Sequence, residues 1–166
     1  ALEEIGQKNI LADILTLDAS KEKENDFNAR TIDAIVKACV EMSKAKTGAL
    51  IVIENNVPLG EYERTGITMD ALVSSQLLLN IFEHNTPLHD GAVIVRGNRV
   101  ISATCYLPLS DNLTLSKDLG TRHRAGVGIS EVSDSLTIIV SEETGKISVA
   151  YEGELERNLG AEELKS

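Results

Sequence analysis

The chain has 166 residues, enough for one domain with a full hydrophobic core. Apolar residues make up 42% and aromatics only 3%, with no tryptophan, which excludes a disordered chain and a stacking platform for single-stranded nucleic acid and makes the core aliphatic. Sixteen Lys and Arg against 26 Asp and Glu give a net charge of −10, which argues against a general DNA or RNA binder and makes any local basic cluster conspicuous.

Residues 1–20 read as an N-terminal connecting helix, with Leu2, Ile5, Ile10, Ile14, Leu15 and Leu17 as its apolar positions. A charged, polar stretch follows, Ala19 to Arg30, which reads as a loop. The spacing of Ile32, Ile35, Val36, Cys39 and Met42 predicts a helix over 31–46, capped by Thr31 and stopped by Gly48. Ala49–Ile53 is nearly all apolar and short, the pattern of a strand buried on both faces, and it is far too short to cross a bilayer. No signal-peptide pattern is visible. Residues 57–69 read as loop or edge structure around Gly60 and Gly66. Asp70 is the expected cap of a helix running to Glu83, with Val73, Leu77, Leu78, Ile81 and Phe82 inside.

Beyond residue 86 the pattern turns to strands. Ala92–Arg96 and Arg99–Leu107 flank Gly97-Asn98, a pair suited to a tight hairpin. Ser110–Leu119 reads as a polar loop, 121–133 as a helix, and 136–140 and 147–151 as two more strands. Residues 154–166 read as an acidic tail, a frayed helix. The sum is a single α/β domain with a mixed, mostly antiparallel central sheet and helices on both faces. Cys39 and Cys105 fall on apolar faces far apart in sequence and read as buried free thiols of a reducing, cytoplasmic compartment.

Two runs hold chemistry that the composition does not ask for. The first is Asn85-Thr86-Pro87-Leu88-His89-Asp90-Gly91-Ala92. Asp-Gly before an apolar strand is by itself a hairpin signal, but the residues upstream are the exit from a helix and offer no partner strand. The other reading is that Gly91 lets backbone approach a ligand while Asp90 acts on a hydroxyl or organises a cation. His89 is either a hydrogen-bonded structural histidine or, beside Asp90, a metal contact. The histidines and cysteines do not complete a zinc cage, whereas a hard divalent ion held partly by phosphate oxygens needs fewer protein ligands.

The second run is Gly120-Thr121-Arg122-His123-Arg124. Cations are disfavoured in the first turn of a helix, where the macrodipole is positive, unless an anion visits. Free N–H groups, a threonine hydroxyl and guanidinium forks make a phosphate cradle there, with Gly120 permitting close approach. Ser141-Glu142-Glu143 reads as a solvated acidic turn that gains interest only if the sheet brings it near Asp90. Tyr106-Leu107 reads as core packing or as an adenine flank.

Taken together these runs resemble the diadenylate cyclase (DAC) domain, which makes cyclic di-AMP from two ATP. Its hallmarks, Asp-Gly-Ala and Arg-His-Arg, stand here as Asp90-Gly91-Ala92 and Arg122-His123-Arg124. Ser74–Phe82, Asn85–His89, Gly120-Thr121, Gly128–Glu131 and Val140–Gly145 match in order around them, and the likeness runs from about residue 28 to 153. It implies a catalytic domain over 21–153 with a three-layer αβα fold, most similar to the membrane-tethered cyclases, whose hydrophobic region would lie upstream of Ala1. It implies Asp90, Arg122, His123 and Arg124 as catalytic residues. Gly91, Ala92, Tyr106, Leu107, Gly120, Thr121, Ser141 and Glu143 are the implied nucleotide contacts, and His89 and Asp90 the implied ligands of Mg²⁺ or Mn²⁺. The implied partners are ATP, a second copy in a face-to-face homodimer needed for catalysis, a membrane-anchored regulator and a phosphoglucosamine mutase. Gly126 departs from the family's common alanine and is expected to loosen its helix slightly.

Overall fold

A computed structural model describes residues 28–117, 119–160 and 164. The expected connecting helix over 1–20 lies outside the described residues. The elements run α1 (Ala29–Ala45), β1 (Ala49–Ile53), α2 (Gly60–Glu63), β2 (Ile67–Leu72), α3 (Ser75–Phe82), β3 (Ala92–Arg96), β4 (Arg99–Cys105), α4 (Thr121–Val132), β5 (Leu136–Val140), β6 (Ile147–Tyr151) and β7 (Glu154–Glu156). The strands form one seven-stranded sheet in the order β2-β4-β3-β1-β5-β6-β7. Only β1 and β3 pair in parallel; every other neighbouring pair is antiparallel.

Strand alternation sorts the core into two layers. Ile51, Ile53, Val93, Val95, Ile138 and Val140 face α1 and α3, packing on Ile35, Cys39, Met42, Leu78, Ile81 and Phe82. Leu50, Val52, Ile94 and Ile139 face the other way, onto Ala125, Val127 and Ile129 of α4. The result is the three-layer αβα arrangement, and among the described residues Phe82 is the only aromatic in a buried core of aliphatic side chains with Cys39, Met42 and Cys105.

Four local expectations give way to tertiary structure. The cap of α1 is Asn28, whose side chain accepts from the Thr31 amide; the Thr31 hydroxyl instead donates to Asn98 in the β3–β4 turn at 2.7 Å. Lys46, at φ 55°, takes the left-handed position that ends α1, so Gly48 is not its stop. Asp70 caps nothing: it sits inside β2 at φ 45°, where the β2–β4 register shifts, and accepts from Arg99 Nε at 2.8 Å. Ser74 caps α3, accepting from the Leu77 amide. The start of the expected helical tail is a strand, since Glu154–Glu156 pairs with β6 as β7.

Gly126 is buried against the sheet. A methyl group there would lie 2.8 Å from Ile139 Cδ1 and 3.2 Å from Thr137 Cγ2, so these side chains fill the space an alanine would take. Both cysteines are free and buried.

Candidate functional site

The sheet order gathers four strand ends at one place. β1 and β3 are parallel and begin side by side, while their antiparallel neighbours β5 and β4 finish there: Ala49 pairs with Val140, and Ala92 with Cys105. The loops entering β1 and β3, the loop leaving β4 and the turn leaving β5 therefore share one rim, and the N-terminus of α4 completes it. They enclose a cleft of about 700 Å³, within the usual range for small-molecule sites, lined among others by Leu50, His89, Asp90, Gly91, Tyr106, Leu107, Leu109, Thr121, Arg122, His123, Ser141 and Glu143.

The segment 83–90 leaves α3 as a series of turns, so Asp90-Gly91 is not a hairpin. The Thr86 hydroxyl donates to the Glu83 carbonyl at 2.7 Å, and His89 Nδ1 lies 2.6 Å from the Thr86 carbonyl. That carbonyl can only accept, so Nδ1 carries a proton there and Nε2 is the ring nitrogen turned toward Asp90. Nε2 in turn lies 3.5 Å from Asp90 Oδ1, whose side chain is 86% exposed at the cleft mouth. Gly91 then enters β3 at φ +82°, with the β4 backbone so close that an added methyl would lie 2.8 Å from the Thr104 carbonyl carbon. Only glycine combines that conformation with that approach.

On the opposite wall Gly120 is the N-cap of α4 in extended conformation, with no side-chain cap and open space around it. Arg122 and His123 follow in the first turn. Arg122 Nη1 lies 3.4 Å from Glu142 Oε2 in the turn after β5, and His123 is buried. The Ser141 hydroxyl accepts from the amides of Glu143 and Thr144, each at 3.2 Å, which shapes this turn. The acidic turn is thus brought to the same cleft as Asp90.

Two expected residues do not line the cleft. Ala92 is fully buried one step into β3, packed in the layer under α4. Arg124 is directed away: its Nη1 points to the Ser110 carbonyl at 3.5 Å, and its own carbonyl accepts from the Ser110 amide at 3.0 Å. The reason is helical geometry. Residues two apart lie on different faces of a helix, so Arg122 and Arg124 leave α4 in different directions, whereas Arg124 and Gly128, four apart, share a face. That face packs on 108–110, where a Cβ on Gly128 would overlap the Pro108 carbonyl. Arg124 therefore ties α4 to the loop that carries Leu107 and Leu109. The cleft also uses Leu50, Leu109 and Glu142, which the sequence reading did not select. Glu142 was the discoverable one, because an acid beside Glu143 in a turn needs only a cation opposite.

Among the described residues no group of three or more His, Cys, Asp and Glu could hold a metal by itself. His89 Nε2 and the Asp90 carboxylate are adjacent donors of the kind a hard or borderline divalent ion accepts, with room on the cleft side for oxygens of a ligand.

The family model described as DisA bacterial checkpoint controller nucleotide-binding (DAC) matches residues 36–155. The chain is 53% identical over 165 residues to the cyclic di-AMP synthase CdaA of Bacillus subtilis strain 168, covering 99% of this chain and 58% of that protein. It is 51% identical over 164 residues to a diadenylate cyclase of Listeria monocytogenes serotype 1/2a, again over 99% of this chain and 58% of the relative. The chain thus spans 58% of the length of these curated relatives. Among solved structures, a double mutant of DacA from Staphylococcus aureus superposes with a TM-score of 0.80 at 52% identity, over 81% of this chain and 90% of that one. A hypothetical membrane spanning protein of Bacillus cereus superposes with a TM-score of 0.74 at 45% identity, over 76% of this chain and 62% of that one.

Proposed function

This chain belongs to the diadenylate cyclase (DAC) family, and we propose that it condenses two ATP into cyclic di-3′,5′-AMP and two pyrophosphates. The observation that carries the reading is the convergence of Asp90, from the start of β3, with Arg122 and His123, from the first turn of α4, on a single cleft.

Each step is an in-line phosphoryl transfer. A ribose 3′-oxygen bonds to the α-phosphorus of the other ATP, the bond from that phosphorus to the β-phosphate bridge breaks, and pyrophosphate leaves with the electron pair. Positioning and charge stabilisation should carry most of the rate. Asp90 orients the attacking hydroxyl and takes its proton. The free amides at the start of α4, the Thr121 hydroxyl, Arg122 and His123 hold the phosphates, as a helix N-terminus does for anions. Arg124 works from behind, by fixing the 108–110 segment and so the apolar wall of Leu107 and Leu109 against which a base can lie. Tyr106, Ser141 and Glu143 complete the nucleotide contacts, and Gly91 keeps the backbone low enough for the ribose to approach. His89 Nε2 and Asp90 would hold a Mg²⁺ or Mn²⁺, which when bound neutralises charge on the phosphates.

Each chain carries one Asp90 and one Arg122-His123 pair, whereas closing the ring requires two attacks. Two copies facing each other, each with one ATP, supply both. Among the described residues no helix is long and apolar enough to cross a membrane. A membrane tether upstream of Ala1, and partners such as a membrane-anchored regulator or a phosphoglucosamine mutase, belong to this proposal through the family likeness alone.

The test is to incubate the chain with ATP and Mn²⁺ or Mg²⁺ and separate the nucleotides by chromatography. Cyclic di-AMP should form, and Asp90→Asn should abolish it. ATP bound without product would make the protein a nucleotide sensor; neither binding nor product would leave an interaction module. Either result overturns the proposal.

A further inference from the structure

Arg122 lies against the backbone just before β1. Gly48, in the loop entering that strand, has no side chain, and the Arg122 guanidinium occupies the place where one would be. A methyl group on Gly48 would lie 2.5 Å from both Cζ and Nη1 of Arg122 and 3.0 Å from Nε, and these three atoms are its nearest neighbours. Real Cβ atoms essentially never come so close. Nη1, one of these atoms, also meets the Glu142 carboxylate at 3.4 Å. The side chain is thus held by a glycine seat and an acidic neighbour and is only 21% exposed.

We propose that Gly48 is a positioning residue for the phosphate-holding Arg122: its missing side chain is the seat that aims the guanidinium at the cleft. This rests on the reading of the cleft as an ATP site. It assigns a function to a glycine that local sequence rules explain as a helix stop, a role that Lys46 performs. Gly48 does not adopt a left-handed backbone, so alanine is conformationally allowed there. What must yield to a Cβ is the end of a flexible side chain, and moving that end moves the guanidinium by ångströms while leaving the sheet in place. Displacements of about 1 Å in a positioned group can cost about a hundredfold in rate.

The experiment is a double-mutant cycle on Gly48→Ala and Arg122→Lys, read by product formation and by calorimetric ATP binding, with thermal unfolding as control. Gly48→Ala should melt within about 2 °C of wild type, as a change that strains no backbone does. It should raise KM for ATP and the ATP dissociation constant by about tenfold or more, the expected loss when one charge-assisted phosphate contact is misplaced. Loss of folded protein alone would lower kcat at constant KM. In the Arg122→Lys background, where the planar guanidinium is gone, the same alanine should change either quantity less than about twofold. The proposal fails if Gly48→Ala leaves KM and binding unchanged, if it does not fold, or if its cost persists undiminished in the Arg122→Lys background. Absence of product from the wild-type chain would instead overturn the cyclase reading, and the binding arm would still test the seat.

Discussion

Replacing Gly91 with alanine should weaken the fold and abolish cyclic di-AMP formation together. Gly91 stands at φ +82°, a region that costs an L-residue about 1–3 kcal/mol. The new methyl would lie 2.8 Å from the Thr104 carbonyl carbon and 2.9 Å from the Cys105 carbonyl oxygen. Both are backbone atoms of β4, so relief requires β3 and β4 to part where Ala92 pairs with Cys105. Overpacking of this kind costs about 1–3 kcal/mol more. A total of about 4 kcal/mol lowers the melting temperature by on the order of 10 °C for a chain of this length. The assay is thermal unfolding of wild type, Gly91→Ala and Gly120→Ala. Gly120 has open space around it, so the same methyl there should cost about 1 kcal/mol at most, the difference between glycine and alanine at a helix cap. Equal melting temperatures for the two variants, or a Gly91→Ala protein as stable as wild type, would refute the argument that backbone approach requires this glycine.

Three further outcomes are expected. Specific activity should fall on dilution below the dimer dissociation constant, checked by parallel sedimentation; constant activity in samples shown to be monomeric would contradict the two-chain mechanism. Burial pushes the Cys39 thiol up to about 12, so the native state favours the protonated thiol more than the unfolded chain, which titrates near 9. Its contribution to stability is full below about pH 9 and is lost as pH rises toward 12, so wild type should lose stability relative to Cys39→Ala over that range in denaturant titrations, and a parallel pH dependence would contradict this. The buried Thr137 hydroxyl has no hydrogen-bond partner, so Thr137→Val should raise the melting temperature by a few degrees; a lower one would mean that the hydroxyl is satisfied.

The parts of this fold legible in the sequence are those that periodicity controls. β1, β3, β5 and β6 lie where the apolar runs place them, because a strand buried on both faces has nowhere else to put Ala49–Ile53 or Leu136–Val140. Local capping rules failed where a distant group outweighed them. Asp70 has the chemistry of a cap, but Arg99 on β4 engages its carboxylate and carbonyl and holds it in the edge strand. β2 was legible only as loop or edge structure ending at 69, because its pattern is largely exposed, and β7 was not legible because three residues make a strand only with β6 beside them.

At the site, the two motifs were legible as chemistry but their convergence was not. Nothing local says that β1 lies between β3 and β5 with the starts of β1 and β3 level with the end of β5, which brings Ser141–Glu143 to Asp90's cleft. Arg124 could have been separated from Arg122 by helical period alone once α4 was predicted to start at Thr121. Gly48 could not, since its meaning depends on a guanidinium more than seventy residues away.

The most direct test of the central claim is the stoichiometry of turnover with ATP and a divalent cation. Two attacks, each expelling one pyrophosphate, predict two pyrophosphates per cyclic dinucleotide, with both α-phosphates retained in the ring and neither product formed by Asp90→Asn. One pyrophosphate with a linear dinucleotide, or pyrophosphate accompanied by AMP, would contradict the account.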